Sequence, residues 1–535
     1  MDDVPSWTEI EEQLSWPSLG PSRTRLGRLV RSNEAAELAQ GALRRHLFCL
    51  GSPGTGKTRF LSLLARLHLD AGHTLIVLDP HGTKPNSLFQ LALADVWDQH
   101  LEDELIVIDP SDPQYTLAWN PTAQIGLPVA THAEYLLEAI NKACGDFLNP
   151  ETKPQHERWL LNVLSTLITN NQPLIQALDL LGGSNLDIET EDPLVQKEWE
   201  YYQQQRPARQ AELTESVFNR LRRLLNAPAL RAMFSQTQSV FSFSWLLQYP
   251  CIVLVNLGVS PSLSRRAGTL LGTLLLADVM MALELRGQTE PHVAVICDEA
   301  SRFITPDLAA MMAEMRGYGA SLTMAAQSLA QLSGPERKLL DIALDCSQTI
   351  VTFRAGYEDA KRLAQQFLKY EPYKLKDEIE QTKFRPINVE IETTTVTQSE
   401  SQSETTDAHD DDIVATQRTT SESETTGTAY ITEHIPFREV TSRSYFSPEE
   451  QLLFLTERIR DLPDRHAIFK DEHGVQEFVI APVPDSGFTP AELARWRSER
   501  FSKIKLYCKI ETAAKQNPNR EPPPSPQDHY PDYDH

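Results

Sequence analysis

Residues 51–58 read GSPGTGKT. Few chains can carry this string, because of what flanks it. His46-Leu47-Phe48-Cys49-Leu50 before it reads as a buried strand, and Lys57 to Ala71 has the apolar spacing of a helix. Gly51, Gly54 and Gly56 let backbone N–H groups close around phosphate oxygens, and the helix N-terminus adds a potential that favours anions. The whole segment, Gly51, Ser52, Pro53, Gly54, Thr55, Gly56, Lys57 and Thr58, is therefore the candidate site for a nucleotide. Lys57 would reach the β- and γ-phosphates of ATP, and the Thr58 hydroxyl would ligate Mg²⁺. The competing reading is a chance glycine-rich turn.

A second string supports the first. Residues 292–299 read HVAVICDE, an apolar strand ending in two carboxylates. A strand-end acid in such sites holds Mg²⁺, and an adjacent Glu can polarise the attacking water. Asp298 is the metal-side candidate and Glu299 the base. On its own the string also fits a strand followed by an acidic helix cap. Beside the phosphate loop, the Asp-Glu order points to hydrolysis.

The 535 residues can hold two to four domains. A formal charge of −24 argues against a surface that coats nucleic acid everywhere, but leaves room for a local basic channel. The six cysteines lack C-x-x-C spacing. Cys49, Cys251 and Cys297 lie in apolar runs and read as buried thiols, which fits a reducing, cytoplasmic compartment and no zinc site. The N-terminal MDDVPSWTEIEEQL is acidic and unlike a signal peptide. Ala267 to Leu283 is the longest apolar stretch. Asp278 interrupts it, so it reads as a buried helix, with no membrane span expected.

The pattern is that of an α/β chain with a mostly parallel sheet. Residues 1–45 form a lead-in. Residues 46–125 alternate strands and helices; TLIVLDPHG (74–82) and ELIVIDPSD (104–112) are short strands ending in acid-Pro turns. Residues 126–248 have helical periodicity, as in HERWLLNVLSTLI and LTESVFNRLRRLLN, and read as an inserted all-α subdomain. The sheet resumes over 249–390 through CIVLVNLG, VAVICDE, ASLTMAAQS and QTIVTFRAG. Residues 391–430 are low in complexity; between 391 and 428, nine acidic residues stand against Arg418. That stretch cannot bury enough surface to make a globule, although its Thr/Ser alternation allows an extended ribbon. Residues 431–485 hold an amphipathic helix opened by Ser447 (SPEEQLLFLTERIRDL) and a hairpin turning at His473-Gly474, a small α+β extension that returns to the core. Residues 486–535 read as a helix and a disordered Pro-rich tail.

In order, LRRHLFCLGSPGTGKT, LDPHG, WNP, VICDEASRFI, EMRGYGASLTMAAQSLAQL and VTFRAGYEDAKRLAQQF resemble the FtsK–HerA superfamily. The nearest likeness is to soluble relatives of the TraG/TraD-like conjugative coupling proteins of type IV secretion. The likeness covers roughly residues 22–370 and 445–482. It implies a RecA-like core, ATP and Mg²⁺ as cofactors, and a hexameric ring that moves DNA through its channel; with no base-reading motif visible, any DNA binding is expected to be sequence-independent. A nuclease, a relaxase or a secretion channel would be a natural partner. Lys57, Thr58, Asp298 and Glu299 carry over as the nucleotide, metal and hydrolysis residues. Gln327 matches the sensor of the γ-phosphate; the alternative is a strand-end hydrogen bonder. Arg316 matches the step that supplies an arginine finger to a neighbouring subunit; the alternative is a solvated helix-end arginine. Arg354 is a second finger candidate. Asp79-Pro80-His81-Gly82 matches the second-strand motif, either as a structural turn or with a direct role, and Asn120-Pro121 reads as structural.

Two family features are missing from the string: the N-terminal transmembrane helices of coupling proteins and the N-terminal β-barrel of HerA proteins. A soluble DNA motor is the expectation that results. A nucleotide-gated scaffold ring and a motor acting on proteins remain the alternatives. Arg206, Arg209, Arg220, Arg222 and Arg223 in the helical insertion either engage DNA phosphates or form a solvated helix face.

Overall fold

The computed structural model describes residues 24–509 apart from 39, 113, 118, 146–152, 183–189, 191, 237–241, 306–311, 313, 333–337, 408–409, 472–473 and 504–506. The expected disordered tail and the hairpin residue His473 lie outside these residues.

The first half runs β1 (Thr24–Leu29), β2 (Ala35–Leu38), β3 (Leu47–Leu50), α1 (Lys57–Asp70), β4 (Thr74–Asp79), α2 (Leu88–Asp98), β5 (Leu105–Ile108) and β6 (Tyr115–Leu117). Then come the insertion helices α3 (Val129–Cys144), α4 (Lys153–Thr169), α5 (Pro193–Gln203) and α6 (Pro207–Leu225), with shorter turns between them. The core resumes with β7 (Ile252–Asn256), α7 (Arg265–Arg286), β8 (Val293–Cys297), β9 (Ala320–Ala326), β10 (Thr349–Thr352) and α8 (Tyr357–Phe367). Next are β11 (Leu375–Asp407), β12 (Asp410–Tyr445), α9 (Pro448–Arg460), β13 (His466–Asp471), β14 (Gly474–Ile480), α10 (Pro490–Lys503) and β15 (Tyr507–Lys509).

Eleven strands form one sheet in the order β2-β1-β14-β13-β10-β3-β9-β8-β4-β7-β5. From β10 to β5 every pair is parallel. The cause is visible in the sequence. β3, β4, β5, β7, β8 and β9 are buried at every position, so they need cover on both faces, and the helices between parallel strands supply it. Because all these strands point the same way, the loops after them meet along one edge.

The strongly apolar run expected as a buried helix is the middle of α7. Among the described residues it is the one helix long and apolar enough to cross a membrane, and most of it is buried inside the fold. Ser264 caps its start by accepting from the Ala267 N–H, and Gly287 ends it at φ 62°. Its one charged interior group, Asp278, accepts from the indole N–H of Trp119 at 3.2 Å, and burial pushes that carboxyl up to about 7. The Trp119-Asn120-Pro121 turn is thus tied into the core, and Asn120 also accepts from the Thr122 N–H and hydroxyl. In the insertion, the rings of Trp159, Trp199 and Tyr202 pack edge to face, and the Trp199 N–H donates to Thr166 at 2.8 Å.

Two stretches differ from expectation. The lead-in contains β1 and β2, which extend the sheet antiparallel beyond β14. At the bulge in β1, a Cβ on Gly27 would lie 1.8 Å from the Val479 carbonyl oxygen, so only glycine fits. The second stretch is the low-complexity segment. It lies inside a two-stranded antiparallel ribbon of β11 and β12, wider than residues 391–430, in a compact unit of its own (Leu368–Phe454). The expected cap follows the ribbon: the Ser447 N–H donates to Glu450, and the Glu450 N–H to Ser447 Oγ.

Candidate nucleotide site

The phosphate loop leaves β3 between two partners. The Gly51 N–H donates to the Ala326 carbonyl at the end of β9, and the Ser52 N–H to the Arg354 carbonyl just past β10, at 2.9 Å. A Cβ on Gly51 would meet Phe353 Cβ at 2.6 Å, so the tight exit requires glycine. Gly54 (φ 80°) and Gly56 (φ 116°) take backbone conformations that L side chains avoid. The Thr55 hydroxyl closes the loop onto the Ser52 carbonyl at 2.8 Å, and the Thr55 carbonyl accepts from the Arg465 N–H. No side chain caps the start of α1, so its first N–H groups remain open to an anion. Lys57 is buried, and its ammonium donates to the Gly51 carbonyl at 2.5 Å, folded back over the loop where phosphate oxygens would stand.

Facing the loop are groups from β4, β8 and β9. Asp298, buried at the end of β8, has its pKa raised to about 6, first by burial and then by the neighbouring Asp79, with Lys57 opposing. A divalent cation would relieve that cost. Among the described residues, no group of three or more His, Cys, Asp and Glu side chains is built to hold a metal alone. Mg²⁺ here would therefore need phosphate oxygens besides Asp298 and Thr58.

Glu299 sits at φ 47°, an uncommon backbone for a side chain of this size, and the turn holds its carboxylate between two donors. His81 Nε2 lies 2.8 Å from Glu299 Oε1, and the Gln327 amide donates to the same oxygen. The contact holds the Glu299 carboxyl below its usual range and raises the imidazole above its own. Asp79 stays inside the turn, accepting from the His81 N–H at 2.7 Å and the Phe89 N–H at 2.8 Å. Both readings of the Asp79-Pro80-His81-Gly82 string thus have a residue: Asp79 builds the turn, and His81 enters the site. The sequence named His81 only as part of that string, without its partner Glu299.

Lys57, Asp298, Glu299 and Gln327 converge, and Arg316 does not join them. It is exposed on the turn before β9, at the opposite end of the strand that carries Gln327 at its exit. Arg354 is near the loop through its backbone, while its guanidinium pairs with Asp464 at 2.7 Å. The five insertion arginines do not form one cluster. Arg206 and Arg209 stand at the start of α6, and Arg209 pairs with Glu212. Arg220, Arg222 and Arg223 lie near its end. Arg220, Arg223 and Arg266 of α7 share the electrostatic surroundings of Cys144.

Farther along the same edge, Asp109 is buried and accepts from Asn256 Nδ2 at 2.9 Å and from Arg497 of α10. The segment before α10 is tied to the residue after Thr58: Arg59 donates to the Val483 and Pro484 carbonyls. Neither contact was expected.

Residues 24–267 match the family model described as helicase HerA, central domain, and residues 292–434 match the TraM recognition site of TraD and TraG. No curated protein matches the chain. Among solved structures, the bacterial conjugative coupling protein TrwBdeltaN70 in its unbound form aligns with a TM-score of 0.52 and 15% identity, covering 89% of this chain and 98% of that one. The plasmid coupling protein TrwB in complex with ADP and Mg²⁺ aligns with a TM-score of 0.52 and 14% identity, covering 89% and 99%. At that identity the likeness is one of fold. With its phosphate loop and the two partial family matches, the chain resembles the P-loop ATPases of the FtsK–HerA superfamily and, among them, the TraG/TraD coupling proteins.

Proposed function

We propose that the chain is a cytoplasmic ATP-driven motor that assembles as a hexameric ring and moves DNA without reading its sequence. The observation that carries the hydrolytic part is the convergence of Lys57, Asp298, Glu299 and Gln327 at one sheet edge. In this reading, loop N–H groups and Lys57 hold the phosphates of ATP, and Thr58 and Asp298 hold Mg²⁺, which neutralises developing charge on the transferred group. Glu299 accepts a proton from the attacking water, oriented by His81 and Gln327. Gln327 turns from Glu299 toward the γ-phosphate when ATP is bound.

The DNA part draws support from the helicase HerA match and from Arg220, Arg223 and Arg266, gathered where α3, α6 and α7 meet in a chain of charge −24. Three guanidinium groups suit a phosphate backbone, and their hold weakens with salt. A relaxase or secretion component is the natural partner of such a motor.

One paired measurement tests this. ATP turnover should rise severalfold on adding DNA, and the particle mass in ATP should be six chains. The joint variant Arg223→Glu with Arg266→Glu should lose the DNA response and keep the basal rate. Turnover indifferent to DNA in a chain that does hydrolyse ATP would favour a nucleotide-gated scaffold.

A further inference from the structure

We propose that Arg497 is a positioning residue for hydrolysis, acting on the His81–Glu299 pair through a polar relay along the carboxyl edge of the sheet. The inference deepens the hydrolytic reading and rests on Glu299 as the base. In the sheet order, β8, β4, β7 and β5 are consecutive neighbours. They run parallel, so their carboxyl ends lie side by side. Glu299 follows β8, His81 follows β4, Asn256 ends β7 and Asp109 follows β5. The relay crosses all four strands, and α10 supplies its far member.

At that far end the buried Asp109 carboxylate accepts from Arg497 Nη1 through Oδ2 and from Asn256 Nδ2 through Oδ1, the latter at 2.9 Å. On its other side, Asn256 Oδ1 accepts from the Gly258 N–H at 3.0 Å. A carboxylate only accepts and a backbone N–H only donates, so these two partners fix which way the Asn256 amide faces. Its Oδ1 abuts the turn after β4. A Cβ on Gly82 would lie 2.3 Å from that oxygen, so only glycine lets the turn come this close. The Leu257 N–H adds a tie to the same turn, donating to the Asp79 carbonyl at 2.8 Å. Gly82 is bonded to His81, whose Nε2 lies 2.8 Å from Glu299 Oε1. The seat of the Asn256 side chain therefore limits where the His81 turn can sit.

The C-terminal segment holds that loop from a second direction. Just before α10, the Ser486 N–H donates to Asn86 Oδ1 at 3.0 Å. Asn86 follows His81 and Gly82 in the same loop and has φ 54°.

Arg497 is not needed to anchor α10. The Arg500 guanidinium donates to the Glu102 and Leu105 carbonyls. The Tyr507 hydroxyl donates to the Val107 carbonyl at 2.9 Å and accepts from the Val107 N–H at 3.0 Å, and β15 pairs with β6. These contacts tie the end of the chain along β5. Arg497 instead reaches the carboxyl edge, where it supplies the counter-charge of a buried carboxylate. Without it that carboxylate must move or draw in water, and the Asn256 amide loses its fixed acceptor.

Steady-state ATP turnover of the full chain tests the relay. Arg497→Ala should lower kcat about fivefold and leave KM within about twofold. Asn256→Ala cuts the relay in its middle while keeping the Arg497–Asp109 pair. It should show the same signature, and it decides the matter where Arg497→Ala folds poorly. The sharp measurement is a cycle with His81→Ala. If the relay acts through His81, either variant should change kcat by less than about twofold in the His81→Ala background. A change confined to KM, an unchanged kcat, or losses that multiply with that of His81→Ala would each overturn the relay. Glu299→Gln separates this from the reading beneath it. Normal turnover by Glu299→Gln would overturn the base and the relay together. Multiplying losses with Glu299→Gln inactive would overturn the relay alone.

Discussion

The two ends of the parallel sheet are built from the same buried strands and have opposite chemistry. At the carboxyl end, β3, β4, β8 and β9 deliver Lys57, His81, Asp298, Glu299 and Gln327 into one constellation, with a carboxylate raised to about 6 and an imidazole raised above its usual range. At the amino end a buried cluster of histidines is held neutral, beside the exposed Arg44–Glu290 pair. His68 and His73 share a hydrogen bond between their Nδ1 atoms at 3.0 Å, and His292 bonds the Ser321 hydroxyl at 2.9 Å. Burial lowers all three. Charge is gathered at one end and suppressed at the other, so a strand's direction decides what its flanking residues can do.

Lys57→Ala should have the largest effect, removing nucleotide binding or turnover because it deletes the charge over the loop. Equilibrium binding of a fluorescent ATP analogue checks it, and unchanged affinity together with unchanged turnover would refute the site. Arg316→Ala is the variant that can break the comparison, because Arg316 belongs to the quiet end of its own chain. If it reaches a neighbour's γ-phosphate, its loss should cut turnover by about 10³–10⁵ and spare ATP affinity. Mixed with Lys57→Ala chains, Arg316→Ala chains should regain some activity, since an intact loop can then sit beside an intact arginine. No recovery despite shown mixed assembly would leave Arg316 a surface residue.

Within the active end, Glu299→Gln should keep ATP binding and slow hydrolysis by about 10²–10⁴. Normal turnover would place the base elsewhere. His81→Ala should cost less, about tenfold in kcat, because it removes a group that orients the base and leaves the base itself in place. Its signature is in the pH profile. His81 keeps Glu299 low, so without it the acidic limb should move to higher pH. An unmoved limb would make His81 structural only.

The legible parts of this molecule were those where residue type and local pattern coincide. GSPGTGKT and ICDE end continuous apolar runs, and a buried parallel strand is such a run, so Lys57, Asp298 and the direction of β3 and β8 could be read together. The strand end at Gln327 was legible for the same reason, while its role as a sensor came only from the family resemblance. His81 was legible only as part of the Asp79-Pro80-His81-Gly82 turn, because its partner Glu299 is 218 positions away and only the sheet order brings them together. β1 and β2 were missed because TRLGRL and AAEL are short and half polar, and β1 pairs with β14, far along the chain. The ribbon escaped a firm assignment for another reason. It has no core, and the composition correctly said so, but threonine-rich strands can pair with a local partner without one.

The smallest effect at neutral pH belongs to the quiet end and sharpens the contrast. Burial, with the charges of His73, Arg44 and Arg286, lowers His292 to about 3; the nearby Arg44–Glu290 pair does not reverse this. The unfolded chain takes up a proton on this residue near pH 6.5. Between those values protonation favours the unfolded chain. The stability linked to a neutral His292 is therefore fully present above pH 6.5 and is lost as pH falls toward 3. Each such histidine contributes a slope of up to about 1.4 kcal/mol per pH unit in that window. His292→Gln keeps a donor for Ser321 and removes the proton site. It should change stability little at pH 7 and flatten the loss between pH 6.5 and 4.5, measured as the urea midpoint at each pH. The raised carboxyl of Asp298 works in the opposite sense, so Asp298→Asn should not flatten that loss. A His292→Gln curve parallel to wild type would mean that the amino end is hydrated and titrates normally, and the contrast between the two ends would fail.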